Sequence, residues 1–344
     1  MLNGKHGGND LSLDIQHDFS ANLSPLGMSE SVRKAAADAV AFSDVYPDSL
    51  CRELRKKLSG KYGILADDIV CGNGADDLIY RTVSALKPKS ALIVSPAFSE
   101  YKKALSENGC KVDEYILSEE NEFEVTEEIV SHISGYDMVF LCTPNNPTGR
   151  VIAPDILSKI FRECEKNSAF LFCDESYIGF TDRAAELSAL NCMNDKTIIL
   201  SSFTKLYAMA GLRLGYVVCG DKSIADRIAF TGQYWSVSAP AQAAGIAAID
   251  EEEYVRKAAE LVKNERAYLQ KELHILGIKN YPSDANFILF RADKNLGERM
   301  LREKILLRCC EDYSGLDGSF YRIAVKKHEE NEILISVLRR CING

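Results

Sequence analysis

Five short apolar runs restrict the architecture of this chain more than anything else in it. ALIV (Ala91–Val94), MVFLC (Met138–Cys142), AFLFC (Ala169–Cys173), TIIL (Thr197–Leu200) and YVVC (Tyr216–Cys219) are each bounded by polar or turn residues. None alternates apolar with polar, so each reads as a strand buried on both faces. Helical patterns lie between them, over Asp76–Leu86, Ser99–Asn108 and Pro154–Asn167. Strands alternating with helices predict an α/β fold: a three-layer α/β/α unit around a mostly parallel sheet.

The pattern changes after about Ser236. Ala239 to Leu276 is rich in Ala, Glu, Lys and Leu and reads as one or two long helices. Beyond it, strands are expected at Phe287–Phe290, Ile305–Arg308 and Tyr321–Val325, with helices around Leu296–Lys304 and Glu329–Cys341. That is a smaller α+β unit. A length of 344 residues exceeds what one core ordinarily supports. The expected division is a large domain over 25–245 and a small domain made of 1–24 and 246–344.

A net charge of −9 without any basic run points away from nucleic acid and from anionic membranes. No apolar stretch approaches a membrane span, and the start, MLNGKHGGNDLSLD, lacks the apolar core of a signal peptide. The eleven cysteines are odd in number, form no CxxC pair, and fall partly in apolar runs, which predicts free thiols in a reducing cytoplasm. The five histidines show no metal-ligand spacing, so no metal site is expected.

Four segments carry chemistry. SSFTKLYAMAGLRLGY (Ser201–Tyr216) follows a strand directly, so its polar residues emerge at a carboxyl end, where open α/β sheets bind ligands. Lys205 there has aromatic and apolar neighbours and no adjacent charge, unlike an ordinary solvated lysine. Ser202 and Arg213 are suited to hold a phosphate, the arginine through its planar fork. In AFLFCDESYIGF, Asp174 ends a buried strand and Tyr177 follows three residues later. A carboxylate there either caps the next helix or keeps a heteroaromatic nitrogen protonated. Opposite charges 4 Å apart interact by about 4 kcal/mol at an effective dielectric of 20, enough to move such a pKa substantially. CTPNNPTG (Cys142–Gly149) is a rigid turn that presents the amide of Asn146. GNGADD (Gly72–Asp77) opens a helix whose free amides bind phosphate, although its aspartates equally complement the helix dipole.

In this order, with Asp174 31 residues before Lys205, the four motifs resemble the fold type I pyridoxal-phosphate enzymes, the aspartate aminotransferase superfamily. The resemblance covers essentially the whole chain. It implies pyridoxal 5′-phosphate as cofactor, Lys205 as its Schiff-base lysine and Asp174 as partner of the ring nitrogen. It also implies Asn146 and Tyr177 near the ring hydroxyl, and Phe98 stacked on the ring. Gly74, Ala75, Ser202 and Arg213 are implied around the phosphate, and Thr204 among the cofactor-binding residues. It further implies a homodimer in which Tyr46, in DVYPDS, reaches the partner's cofactor phosphate. Arg322, in YRIAV, falls where the family binds the substrate carboxylate.

Within the superfamily three stretches are most similar to the threonine-phosphate decarboxylases of cobalamin synthesis: HGGN (His6–Asn9), DFSANLSPLGM (Asp18–Met28) and ILLRCCEDYSGLDGSFYRIAV (Ile305–Val325). Histidinol-phosphate aminotransferases are next. The first group implies His6, Asn22, Tyr46 and Arg322 around a phosphorylated amino acid. Tyr177 departs from it, since a phenylalanine can stand at that place. Two other readings are an aminotransferase acting on a phosphorylated amine and a cofactor-sensing regulator. The chain has no spare residues for the DNA-binding module of the latter.

Overall fold

The computed structural model describes residues 7–8 and 13–343. Thirteen strands occur among them: β1 His17–Asp18, β2 Ile69–Gly72, β3 Ser90–Ser95, β4 Lys111–Ile116, β5 Met138–Cys142, β6 Phe170–Asp174 and β7 Thr197–Ser202. The others are β8 Gly215–Cys219, β9 Lys279–Asn280, β10 Phe287–Arg291, β11 Ile305–Leu306, β12 Arg308–Cys309 and β13 Phe320–Ala324. Seven form one sheet in the order β2-β8-β7-β6-β5-β3-β4. Six of them run in one direction and β8 alone runs against them.

Buried faces explain the missing alternation. In β5, Val139 and Leu141 enter the core on one side of the sheet, while Met138, Phe140 and Cys142 enter the core on the other. A strand with both faces covered gains from an apolar residue at every position. The helices Gly74–Leu86, Ser99–Glu107 and Pro154–Lys166 fall where the sequence pattern places them, within two residues at each end. Pro154 starts its helix at the first turn, where its missing N–H costs nothing.

The C-terminal part builds a four-stranded antiparallel sheet, β12-β13-β10-β9. Its core combines Phe19, Leu273, Ile288, Phe290, Ile323 and Leu338. The Ala239–Leu276 stretch forms two helices, Ala239–Ile249 and Glu252–Ile275. The expected strand Ile305–Arg308 is instead two short strands. β11 pairs in parallel with β1, whereas β12 pairs antiparallel with β13. Leu307 is the point at which the chain changes partner. No helix among the described residues is long and apolar enough to cross a membrane.

Candidate active site

Register gathers the motifs at one edge of the large sheet. β5, β6 and β7 run in parallel, so the segments after them emerge together. β8 runs the other way, and its first residue, Gly215, faces both Ser202 of β7 and Gly72 of β2. The antiparallel strand therefore brings Arg213, two residues before it, to the edge where Lys205 and the helix Gly74–Leu86 begin. A cavity of about 350 Å³ opens there, lined by Asn22, Ala75, Phe98, Asn146, Asp174, Tyr177, Ser202, Thr204, Lys205, Arg213 and Arg322.

Lys205 sits on a one-turn helix capped by Ser202, whose hydroxyl accepts from the Thr204 N–H at 3.2 Å. The Lys205 carbonyl accepts from the Ser24 N–H at 2.9 Å, which ties the turn to the N-terminal segment. Burial pushes the amine down to about 8, and the cations of Arg322 and Arg213 act in the same direction. An amine so lowered holds a far larger uncharged fraction near neutral pH than an ordinary lysine, and that uncharged form is the nucleophile.

Asp174 is buried at the end of β6. Its Oδ2 accepts from the Tyr101 hydroxyl at 2.6 Å and its Oδ1 from the Ser176 N–H at 2.8 Å. Burial pushes its carboxyl up, and these hydrogen bonds oppose the rise. Tyr101 is itself fully buried and stands edge-on to Phe98, with ring centroids 5.8 Å apart. Tyr177 packs edge-on against Phe287 at 4.9 Å, and burial raises its phenol.

The phosphate-sized corner is a tight cradle. Gly74 has φ +84, and a Cβ added there would lie 2.6 Å from Arg213 Nη2. The guanidinium is otherwise held loosely, by Ala210 O at 3.3 Å and Asp76 Oδ2 at 3.5 Å. The first amides of a helix have no intrahelical partner and face such a cradle with partial positive charge. A buried carboxylate, a lowered lysine amine and an amide-and-arginine cradle fit the ring nitrogen, aldehyde and phosphate of pyridoxal 5′-phosphate.

At the opposite wall, Arg322 of β13 is buried. It donates to the Ser20 carbonyl at 2.7 Å and to Asn146 Oδ1, and its guanidinium lies 5.4 Å from the Phe287 ring centre. With its amide oxygen turned inward, Asn22 accepts from Nη1 and Nε of Arg322 at 3.2 Å. Gly7 lines the same cavity, and a Cβ there would lie 2.1 Å from the Ser20 carbonyl.

Of the residues expected at the site, all but three line this cavity. Gly74 lies behind Arg213, forming the floor of the cradle. Tyr46 is 77% exposed and stacks on Trp235 at 4.3 Å, away from the cavity of its own chain. His6 lies outside the described residues. Sequence reasoning missed Tyr101, Ser20 and Tyr313, which line the cavity, and Arg308. Arg308 faces Arg322 across β12 and β13, is buried, and pairs with Asp312 at 2.7 Å. Two arginines side by side are unfavourable without anions nearby, and that pairing is visible only once register is known. Tyr101 follows Phe98 by three residues in a helical stretch, a spacing that could have found it.

A sequence model of "Aminotransferase class I and II" matches residues 14–338. The chain belongs to that family. Pyridoxal 5′-phosphate is the cofactor of this family. The chain is 34% identical to the threonine-phosphate decarboxylase of Salmonella typhimurium, over 100% of this chain and 98% of that protein. It is 32% identical to a histidinol-phosphate aminotransferase of Methanosarcina mazei, over 92% and 86%. A solved histidinol-phosphate aminotransferase from Clostridium acetobutylicum superposes with TM-score 0.90 at 29% identity, covering 95% of this chain and 99% of that one. Within the large sheet, β7 delivers Lys205 and the antiparallel β8 brings Arg213 back to the same edge.

Proposed function

We propose that this enzyme decarboxylates L-threonine O-3-phosphate to (R)-1-amino-2-propanol phosphate, a step of cobalamin biosynthesis. The observation that carries the reading is the packing of Gly7 and Ser20 against Arg322. Gly7 lines the cavity, the Gly8 N–H donates to Ser20 Oγ at 2.9 Å, and the Ser20 carbonyl holds the Arg322 guanidinium. Gly7 and Gly8 of HGGN and Ser20 and Asn22 of DFSANLSPLGM, two of the stretches that resemble decarboxylases, lie beside the arginine expected to take the substrate. The full-length match to the Salmonella enzyme supports the same reading. The match to histidinol-phosphate aminotransferases supports a second one, transamination of a phosphorylated amine at the same site.

When bound, pyridoxal 5′-phosphate supplies an electron sink for the pair left at Cα as a bond there breaks. The protein's task is to choose the bond. Lys205 is the proposed carrier of the cofactor, Asp174 the partner that keeps its ring nitrogen cationic, and Asn146 and Tyr177 the partners of its ring oxygen. Ser202, Thr204, Arg213, Gly74, Ala75 and Phe98 complete that set. Arg322, with Asn22 and His6, would hold an anionic end of the substrate and so orient the bonds at Cα for the choice between them. Binding energy from a remote phosphate is available to hold that pose. We further propose a homodimer. Phe42, Val45, Tyr46, Phe230, Tyr234 and Trp235 are 66, 63, 77, 81, 72 and 46% exposed, an apolar surface for a second copy that contributes Tyr46 to the partner's site.

The test pairs threonine phosphate alone against histidinol phosphate with 2-oxoglutarate. Carbon dioxide from the first mixture is expected. Rapid glutamate formation from the second, without carbon dioxide from the first, overturns decarboxylation in favour of transamination.

A further inference from the structure

One polar group at the site has no role in what is described above. Ser176 is 9% exposed, and its hydroxyl has no hydrogen-bond partner. The residue forms part of the wall between the main cavity and a smaller chamber of about 60 Å³ lined by Tyr62, Glu175, Tyr207 and Tyr216. A buried hydroxyl without a partner is unfavourable, and such groups in native proteins ordinarily serve something.

What lies beside it is Asp174. The Ser176 N–H already donates to Oδ1, and Tyr101 occupies Oδ2. A carboxylate offers about four acceptor positions, so room for another donor remains. The surroundings of Asp174 otherwise disfavour its charge. Burial is the largest influence and the Asp76 carboxylate at the start of the helix Gly74–Leu86 adds to it, while the Ser176 side chain is first among the groups that oppose the rise. Glu175 is its chain neighbour, and the Cys142 thiol faces it from β5. Lys205, across the cavity, is the cation whose field favours the ionised form.

We propose that Ser176 is a positioning residue, whose hydroxyl turns to donate to the Asp174 carboxylate when the cofactor ring is present and so holds that carboxylate ionised. This rests on the role given to Asp174 toward the ring nitrogen. It assigns the donors of Asp174 two kinds of duty: Tyr101 and the Ser176 N–H fix the carboxylate in place, and the Ser176 hydroxyl, which already favours the ionised form without a well-formed bond, aligns on it when the site fills.

The experiment titrates cofactor-free protein with pyridoxamine 5′-phosphate, followed by calorimetry between pH 5 and 8. This probe carries the ring nitrogen and phosphate but no aldehyde, so bonding to Lys205 does not enter. Ser176→Ala is expected to weaken binding about tenfold near neutral pH. The acid limb of the affinity profile should also move upward by about 0.5–1 pH unit, because Asp174 then protonates sooner. In an Asp174→Asn background, Ser176→Ala should change affinity less than twofold. An unchanged acid limb with less than a twofold effect in the parent overturns the proposal. So does an equal loss in both backgrounds, which makes the serine a packing element. Failure of the Asp174 assignment itself shows separately, as Asn at 174 leaving affinity and profile as in the parent.

Discussion

Gly74→Ala separates the phosphate cradle from the fold around it. The substitution has two costs. Alanine at φ +84 is strained by roughly 1–2 kcal/mol, a penalty on folding whether or not the cofactor is bound. The new Cβ would also lie 2.6 Å from Arg213 Nη2, so one of the two must move. The guanidinium will yield, because it is the far end of a flexible side chain, 41% exposed and held only by contacts of 3.3 and 3.5 Å. Steric relief is therefore cheap for the fold but removes the arginine from the cradle. A charge-assisted hydrogen bond is worth roughly 1.5–3 kcal/mol. Affinity for pyridoxal 5′-phosphate should fall roughly 10- to 150-fold, while the melting temperature of cofactor-free protein drops by only a few degrees. Titration of cofactor-free Gly74→Ala, Arg213→Ala and the double variant measures this. Since both single changes act through one guanidinium, the double variant should bind about as weakly as the weaker single one. Parent-like binding by Gly74→Ala, beside a strong loss in Arg213→Ala, refutes the argument.

Asp174→Asn should retain the cofactor and lose most turnover, roughly a hundredfold or more, since an amide cannot hold a ring cation; near-parent activity removes Asp174 from its proposed role. In cofactor-free protein the Lys205 amine is lowered to about 8 from its ordinary 10.5, so the unfolded chain binds the extra proton between those values. That residue's contribution to stability should therefore rise with pH across this window, and urea unfolding of Lys205→Met should lack that part of the slope; identical slopes in the two proteins contradict the assignment. Sedimentation at working concentration should give twice the 38.2 kDa chain mass. Tyr46→Phe should weaken cofactor binding although Tyr46 lies outside its own chain's cavity; an active monomer excludes the shared site.

The large sheet was legible because burial on both faces writes itself directly into composition. Its two unforeseen members show where that signal fails. β2 has only four residues, all buried, and its IVCG is too short to stand out beside the glycine-rich turn that follows. β4, KVDEYI, is an edge strand with no fully buried residue, and its charges make it look like a loop. Charged edge strands resist pairing with other chains, so the feature that hides β4 in the sequence is one that suits it to its place.

The gathering of Lys205, Asp174 and Asn146 at one cavity was legible for a related reason. Lys205, Asp174 and Asn146 each end a buried strand or follow one closely, and strands in parallel must discharge their chemistry at a common edge. The substrate side has no such rule. Arg322 is drawn in by residues some 300 positions away: the Ser20 carbonyl accepts from it, and Gly7 closes over both. Arg308 meets it only because β11 leaves for β1 at Leu307 and β12 begins beside β13. A pattern within one segment reports the environment of that segment, whereas these contacts depend on how the two ends of the chain close on each other. Resemblance to whole proteins reached Asn22 and Arg322 where local pattern could not, because it compares a complete arrangement of the chain rather than one element at a time. On the proposed reading, the choice of reaction falls to Arg322 and the residues packed around it, Ser20 and Asn22. The proposed cofactor residues would serve decarboxylation and transamination alike, so variants at Ser20, Asn22 and Arg322 are the ones that should alter which bond at Cα is broken.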